Sequence, residues 1–320
     1  MLEFRSFRNT DPPRLTGIWR SRAGDPALLQ PVSVDLFEQL IFGKLHFDYA
    51  GLILAFEDGK PVGFAHASFG PDAAGSGVSR ETGVICLIVV RPDCEETAVA
   101  AGLLDRCEAY LRQRGARVFY GGGIPPLSPF YAGLYGGCEL PGVLESDKVS
   151  RVLYPARGYA PVDRCLLLQR DLSTFRAPVD RQQVQCRRSL LVQVLMDPPA
   201  KNRWEAMTTA DFGSTRFELL PRGGGRHLAY AVARATEWGN ASRSGRIAGL
   251  VDLFVEPASR RQGLGTHLVG ELARVLSGQG VAFLETQPLQ RNEPLVQFCR
   301  KLGFQQIADG IVYRKEVRDS

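Results

Sequence analysis

The sequence predicts an α/β fold of the α+β kind, built as two tandem units with mixed sheets. Three observations carry that expectation. One order of elements can be read twice along the chain: three strands, a helix, a strand, a helix and two closing strands. Interleaving helices with strands buries a sheet face beneath helices. The length, 320 residues, suits about two domains. Finally, 44% hydrophobic against 23% charged residues is ordinary globular composition and allows a packed core in each unit.

The first unit, residues 1–170, opens with two helices. "DPPRLTGIWRS" offers Asp11 as a cap before prolines in the first turn. "SVDLFEQLIFG" runs from Ser33 to a stop at Gly43. "AGLILAFEDGKPVGFAHASFG" predicts a hairpin around Glu57-Asp58-Gly59-Lys60. The strand "TGVICLIVVRP" follows, then the helix "EETAVAAGLLDRCEAYLRQRG" ending at Gly115, then the strand "ARVFYGG". The loop that contains "SPFYAGLYGGCELPG" is rich in Gly and Tyr, and suits either part of a substrate pocket or a surface between the units. A short helix near 147–157 and the strand pair "YAPV" and "CLLLQRDL" close the unit, and "DLSTFRAPVD" reads as a linker.

The second unit, residues 180–320, repeats the order. "SLLVQVLM" is a strand, "PPAKNRWEAMTTADF" a short helical piece, and "STRFELLPRGGGRHLAYAVARATEWG" a hairpin turning at Gly223–Gly225. The strand "GRIAGLVDLFV", a helix from Gly265 to about Ser277, the strand "VAFLETQ", the helix "EPLVQFCRKLG" and the strands "FQQI" and "IVYRKEV" complete it.

Several function classes are set aside at this level. The seven cysteines are odd in number and no pair is spaced CxxC, which speaks against a zinc cluster or a disulfide framework and for a reducing compartment. The four histidines are scattered, so no metal site is expected. The N-terminus lacks the apolar core of a signal peptide, and runs such as "VICLIVV" have strand length, far short of a bilayer span. A cytoplasmic protein without a membrane partner is the expectation. A net charge of +5 is mild, gives little weight to a nucleic-acid partner, and suits a small anionic ligand.

The anion site is sought in "DLFVEPASRRQGLGTHLV", residues 252–269. A strand passes Pro257 and reaches Arg260-Arg261-Gln262-Gly263-Leu264-Gly265 before a helix begins. Backbone N–H groups at a helix start are unpaired and partly positive. Glycine lets a ligand approach closely, and guanidinium groups add charge and forked donors. The set suits a pyrophosphate. No GxxxxGK[ST] is present, and the dinucleotide fingerprint fails at Leu268.

The frame Leu253, Val255, Pro257, then Arg260, Gly263 and Gly265, resembles the acetyl-CoA loop of the GNAT (Gcn5-related N-acetyltransferase) superfamily. "NEPLVQFCRKLGF" matches a second GNAT motif at Asn292, Phe298, Gly303 and Phe304, and the resemblance covers roughly residues 214–316. It implies units that are each a mixed, mostly antiparallel twisted sheet flanked by helices. It also implies an acyl-CoA-dependent N-acyltransferase, with acetyl-CoA as co-substrate, a small-molecule amine as acceptor and the active site in the C-terminal unit. The acyl-CoA site would comprise Leu253, Phe254, Val255, Arg260, Arg261, Gln262, Gly263, Leu264, Gly265, Thr266 and Asn292. A backbone N–H near Phe254 or Val255 would polarise the thioester carbonyl. Asp252, Glu237 and Glu285 are candidate bases, with Glu285 favoured by its strand. Where many members carry a tyrosine acid for the departing thiolate this chain has Cys299, either a substitute acid or a small buried hydrophobe. That departure favours an alternative function, a non-catalytic acyl-CoA-binding or regulatory protein. The two-unit layout is similar to that of the mycothiol synthases.

The first unit keeps the strand frame at Ile88, Val90 and Pro92, but Glu95, Ala98 and Ala100 stand where Arg260, Gly263 and Gly265 stand in the second. Asp93 and Glu96 add negative charge that repels a pyrophosphate. Asp147, Leu153, Tyr154, Gly158 and Tyr159 keep the spacing of the second motif, with Tyr154 expected to be structural. The expectation is a degenerate N-terminal unit that binds acyl-CoA weakly or not at all.

Overall fold

Asp58 and Gly59 both take left-handed backbone, φ 47° and 78°, and so close a tight hairpin between β2 (Leu52–Glu57) and β3 (Lys60–Pro71). The remaining elements follow in the computed structural model, which describes residues 1–127, 130–236 and 245–317. The N-terminal half comprises β1 (Leu2–Ser6), α1 (Pro12–Ser21), α2 (Val34–Phe37) running into a π-helical turn at Glu38–Phe42, and β2 and β3. It continues with β4 (Val78–Val90), α3 (Glu96–Gln113), β5 (Val118–Gly121), β6 (Val143–Leu144), α4 (Lys148–Ala156) and β7 (Ala160–Asp171). The C-terminal half comprises α5 (Arg181–Ser189), β8 (Leu190–Met196), α6 (Arg203–Thr209), β9 (Ser214–Pro221), β10 (Ala229–Thr236) and β11 (Arg246–Val255). It ends with α7 (Leu264–Gly278), β12 (Val281–Thr286), α8 (Glu293–Lys301) and β13 (Gln305–Glu316).

The α+β expectation of two similar units holds, each mostly antiparallel with one parallel pair, β4–β5 and β11–β12. The strands form one continuous sheet in the order β1-β2-β3-β4-β5-β13-β7-β12-β11-β10-β9-β8, with β6 pairing β13. The last strands are exchanged. β7, from the N-terminal half, pairs with β12, while β13, from the C-terminal half, pairs with β5. The two exchanged strands pair with each other between Gln305–Arg314 and Ala160–Gln169. The segment after Asp171 joins the halves along the chain, and the sheet has no corresponding break.

Several sequence expectations are corrected here. "YAPV" and "CLLLQRDL" belong to one strand, and so do "FQQI" and "IVYRKEV". The stretch Ala308-Asp309-Gly310 looks like a break but lies mid-strand. A Cβ on Gly310 would fall 2.0 Å from the Pro141 carbonyl oxygen, so the glycine serves close backbone passage. The linker leads at once into α5, capped by Asp180 accepting from the Gln183 amide. β1 was not foreseen. Asp11 precedes α1 but does not cap it. Its fully buried carboxylate accepts from Arg5 (2.6 Å), Arg14 (2.8 Å) and the Arg8 amide (2.8 Å). Burial would push that carboxyl up, but these hydrogen bonds pull it down to about 2.

The halves are also stitched by side chains. Lys44, nearly buried, donates to the Thr208 carbonyl (2.8 Å) and pairs with Asp211. His46 stacks on Trp204 at 5.1 Å, and the Trp204 amide donates to the Gly75 carbonyl. Among the described residues no helix is long and apolar enough to cross a membrane.

Because each half finishes the other's sheet, a chain ending at residue 304 leaves β5 and β7 without the strand between them. Full-length protein is expected to unfold in one calorimetric transition, and the truncated chain to lose it. Two well-separated transitions in the full-length protein would show instead that the halves fold independently.

Candidate active site

The site is built on a fork. β12 pairs with β11 only from Arg246 to Gly249, after which the strands part. The Thr286 hydroxyl donates to the Leu250 carbonyl (2.9 Å) at the point of divergence. On its other side β11 carries a bulge: Val232 faces Asp252 and Ala233 faces Leu250, leaving Val251 extra. The bulge re-phases the strand. Ala248, Leu250, Leu253 and Val255 pack on the core beneath α7, whereas Phe254 turns the other way and stacks on Tyr230 at 5.3 Å. From Val251 to Val255 the strand is half-buried.

The chain then passes a short 3-10 turn, Pro257–Ser259, and Arg260 Nε donates to the Val255 carbonyl at 3.1 Å. Arg261 and Gly263 adopt left-handed backbone, φ 62° and 83°, and α7 begins at Leu264. Gln183 of α5 donates to the Gly263 carbonyl at 3.1 Å, which holds this peptide from behind. The starts of α2, α4, α5, α6 and α8 are each capped by a side chain: Ser33, Asp147, Asp180, Asn202 and Asn292. α1, α3 and α7 have no side-chain cap, and at α7 the cap residue is Gly263, so no side chain of that residue covers the first amides. The two glycines differ in reason. Gly263 is required by its φ. A Cβ on Gly265 would lie 3.4 Å from Phe298 and 3.7 Å from Val255, ordinary contact, so packing does not demand glycine there. Without a Cβ the Gly265 backbone stays open to close approach.

Most of the residues expected to hold acyl-CoA are thus brought together along one edge. Leu253 and Val255 lie on the strand, Arg260, Arg261 and Gln262 are exposed in the loop, and Gly263, Leu264, Gly265 and Thr266 open the helix. The side chains of Leu264 and Thr266 are buried, so those two residues can offer only backbone. Phe254 faces the opposite side of the sheet, and Asn292 caps α8 by accepting from the Leu295 amide.

The N-terminal half has the same fork and bulge. β4 pairs β5 from Thr82 to Ile85, and His66 faces Leu87 while Ala67 faces Ile85. Its opening is closed. Leu87, Ile88, Val89 and Val90 are all buried, and Arg22 donates to the Val90 carbonyl (3.2 Å) and pairs with Glu96 (3.2 Å). The remaining cavity measures about 30 Å³, room for a water or two. The two loops differ in backbone course as well as in charge. α3 starts at Glu96, so Ala98 and Ala100 already lie inside the helix, and the Val99 amide is bonded to the Glu95 carbonyl. Where the C-terminal half has the Arg260–Gly263 loop, the N-terminal half has an extra helical turn. Tyr154 is 1% exposed, stacked on Tyr313 in the core.

The other face of β11 carries charge, and part of it comes from the N-terminal half. The loop after β5 reaches across: Gln287 donates to the Gly136 carbonyl (2.9 Å), and Cys138 packs on Gly249 so tightly that a Cβ there would sit 2.5 Å from the Cys138 Cβ. Glu285 is 2% exposed and its two oxygens accept from Cys138 (3.6 Å) and Gln169 (3.0 Å). Asp252 pairs with Lys201. Glu139 lies 3.6 Å from Arg234, itself nearly buried. Burial pushes the Glu139 carboxyl up, against the pull of Arg234, to about 7. Glu139 was missed at the sequence level. The loop's composition marked it as a candidate, but nothing local shows that it crosses to the other half. Cys299 is fully buried in the C-terminal core, and burial pushes its thiol up to about 12. Glu237 lies outside the described residues.

A parallel pair that parts beside an uncapped helix start thus occurs twice in one α+β sheet. The acetyltransferase (GNAT) family model matches residues 18–122 and 196–304, and the chain belongs to that family. No curated protein matches it in sequence. Among solved structures it is similar over 100% of both chains to a tandem GNAT protein from the clavulanic acid biosynthesis pathway, with TM-score 0.68 and 14% identity. A GCN5-related N-acetyltransferase from Sphaerobacter thermophilus has TM-score 0.65 and 14% identity over 100% of this chain and 96% of that one. The glucosamine N-acetyltransferase region of a fungal multi-domain β-N-acetylglucosaminidase has TM-score 0.73 and 18% identity over 98% of this chain and 38% of that one. At these identities the likeness is one of fold, and it is a tandem GNAT fold.

The Cys138–Gly249 contact fixes how the loop seats on β11. Replacing Gly249 by Ala is expected to lower stability by about 1–3 kcal/mol, read as a fall in the urea midpoint with unchanged m. A neutral Gly249→Ala would mean that the loop is not packed there.

Proposed function

We propose that the chain is an acyl-CoA-dependent N-acyltransferase, moving an acetyl group from acetyl-CoA to a small-molecule amine in the C-terminal fork. The observation that carries this is the asymmetry between the two forks. The C-terminal one joins a helix start at the left-handed Gly263, two exposed arginines and a half-buried strand edge. The N-terminal one is filled by Arg22 and buried side chains. The chemical fit to a diphosphate is good: unpaired amides at the start of α7 supply donors, and Arg260 and Arg261 supply charge. Acetyl-CoA would supply an activated thioester, and the free edge of β11 near Phe254 and Val255 offers amides for its carbonyl.

The residues on the acceptor side support amine chemistry. At matched register the N-terminal half has Phe64, Leu87 and Val89 where the C-terminal half has Tyr230, Asp252 and Phe254. Leu87 and Val89 lie buried in a core with Trp19, Phe37 and Tyr131, so no acceptor enters there. Among the candidate bases, Glu285 is deeply buried with both oxygens engaged, and Asp252 is held by Lys201. The second reading, a non-catalytic acyl-CoA binder, draws on Cys299, whose buried, weakly acidic thiol is poorly suited to protonate a leaving thiolate.

Calorimetric titration with acetyl-CoA is expected to give one site per chain. Arg260→Glu should weaken binding at least about tenfold, or 1.4 kcal/mol. Release of free thiol on adding an amine supports transfer, whereas binding without release supports the second reading. Two equivalent sites, or a Kd unmoved by Arg260→Glu, would count against the assigned loop.

A further inference from the structure

We propose that Glu139, carried on a loop of the N-terminal half, is the base that takes a proton from the acceptor amine in the C-terminal half. This rests on the transferase reading above and names a residue for it. The geometry sets Glu139 apart from its neighbours. The Glu285 carboxylate is 2% exposed and serves as an anchor for Cys138 and Gln169. Asp252 is tied to Lys201. Glu139 keeps 22% of its side-chain surface open, and its contact to Arg234 is 3.6 Å, longer than a direct hydrogen bond. It can therefore be reached and can release its partner.

The surroundings suit a polar guest. Two buried atoms in this region, Arg234 Nε and Gln287 Oε1, have no hydrogen-bond partner among the described residues. Buried polar atoms are normally paired; Gln287 Oε1 would accept from a ligand N–H or O–H, and Arg234 Nε would donate to a ligand oxygen or a water. Groups of both signs face Glu139 from the surrounding elements: Arg234 on β10, Asp252 on β11 and Lys201 before α6. Cys165 on β7 senses its charge, and Glu285 on β12 lies beside the adjoining Cys138. Burial outweighs the pull of Arg234, so the carboxyl changes state near neutrality, where a base for an alkylammonium works best.

The step balances. The ammonium gives one proton to the Glu139 carboxylate, which returns it to water. The freed nitrogen lone pair forms the C–N bond with the thioester carbonyl carbon. The C–S bond breaks with its electrons on sulfur, and the second nitrogen proton ends on the thiolate.

The test uses the full chain as wild type, Glu139→Gln and Glu139→Asp. Each is assayed by acetyl-CoA titration, by thiol release with a panel of diamines, amino sugars and amino-acid amides, and by thermal unfolding against pH. The wild-type rate is expected to rise through about pH 7. Glu139→Gln should keep its acetyl-CoA affinity, lose about 10²-fold or more in kcat and lose that rise. Glu139→Asp should keep part of both. The raised folded-state pKa also gives a readout without substrate. Wild type should fall in Tm relative to Glu139→Gln as pH rises from 5 to 7 and hold level above, because the ionised form is disfavoured by folding. A Tm difference flat with pH, or a Glu139→Gln enzyme with the wild-type rate and pH profile, overturns the assignment and leaves the transferase reading standing. Binding without transfer to any amine overturns it together with catalysis but not acyl-CoA binding. Failure of wild type to bind acetyl-CoA overturns all three.

Discussion

The point at which β11 stops pairing with β12 governs the rest of the C-terminal half. Four residues of parallel ladder end at Gly249, and the strand beyond has main-chain donors and acceptors with no strand beside them. An open edge of that kind is costly unless something covers it. The bulge at Val251 adds to the effect by sending Leu253 and Val255 into the core and Phe254 out of it. A single register shift therefore decides which side chains face the core and which face the other side of the sheet.

The same fork in the N-terminal half shows the other way of covering that edge. There the chain places the Arg22 guanidinium on the Val90 carbonyl and buries Leu87 to Val90 against aromatic rings. Burying each such aliphatic side chain contributes about 1.5–3 kcal/mol. The extra turn at the start of α3 consumes the amides that the C-terminal loop leaves open. One half fills its fork with packed side chains and the other leaves it open, on the same sheet topology.

The N-terminal half also builds part of the opening. The exchange of β7 and β13 fixes the halves in a single sheet, and the Lys44, His46 and Gly75 contacts hold α6 against the N-terminal half. With the halves so held, the loop from Gly136 to Glu139 sits over Gly249, and only glycine there gives it room. Cys138 and Glu139 thereby face Glu285 and Arg234, residues more than 90 positions away in the chain.

Much of this was legible in the sequence. The repeated element order, the hairpins at Asp58-Gly59 and Gly223–Gly225, and the helix read from Gly265, which starts one residue earlier at Leu264, follow from local chemistry: left-handed backbone and turn residues. β7 and β13 each read as two strands in sequence; in β13 the reason is Asp309-Gly310, a turn signal that the close passage of Pro141 explains. The partner of each closing strand, the crossing of the 136–139 loop and the raised pKa of Glu139 were decided by tertiary structure alone. The physical reason is that hydrogen-bond pairing and desolvation depend on what lies beside a residue in space, and sequence pattern reports only what lies beside it along the chain.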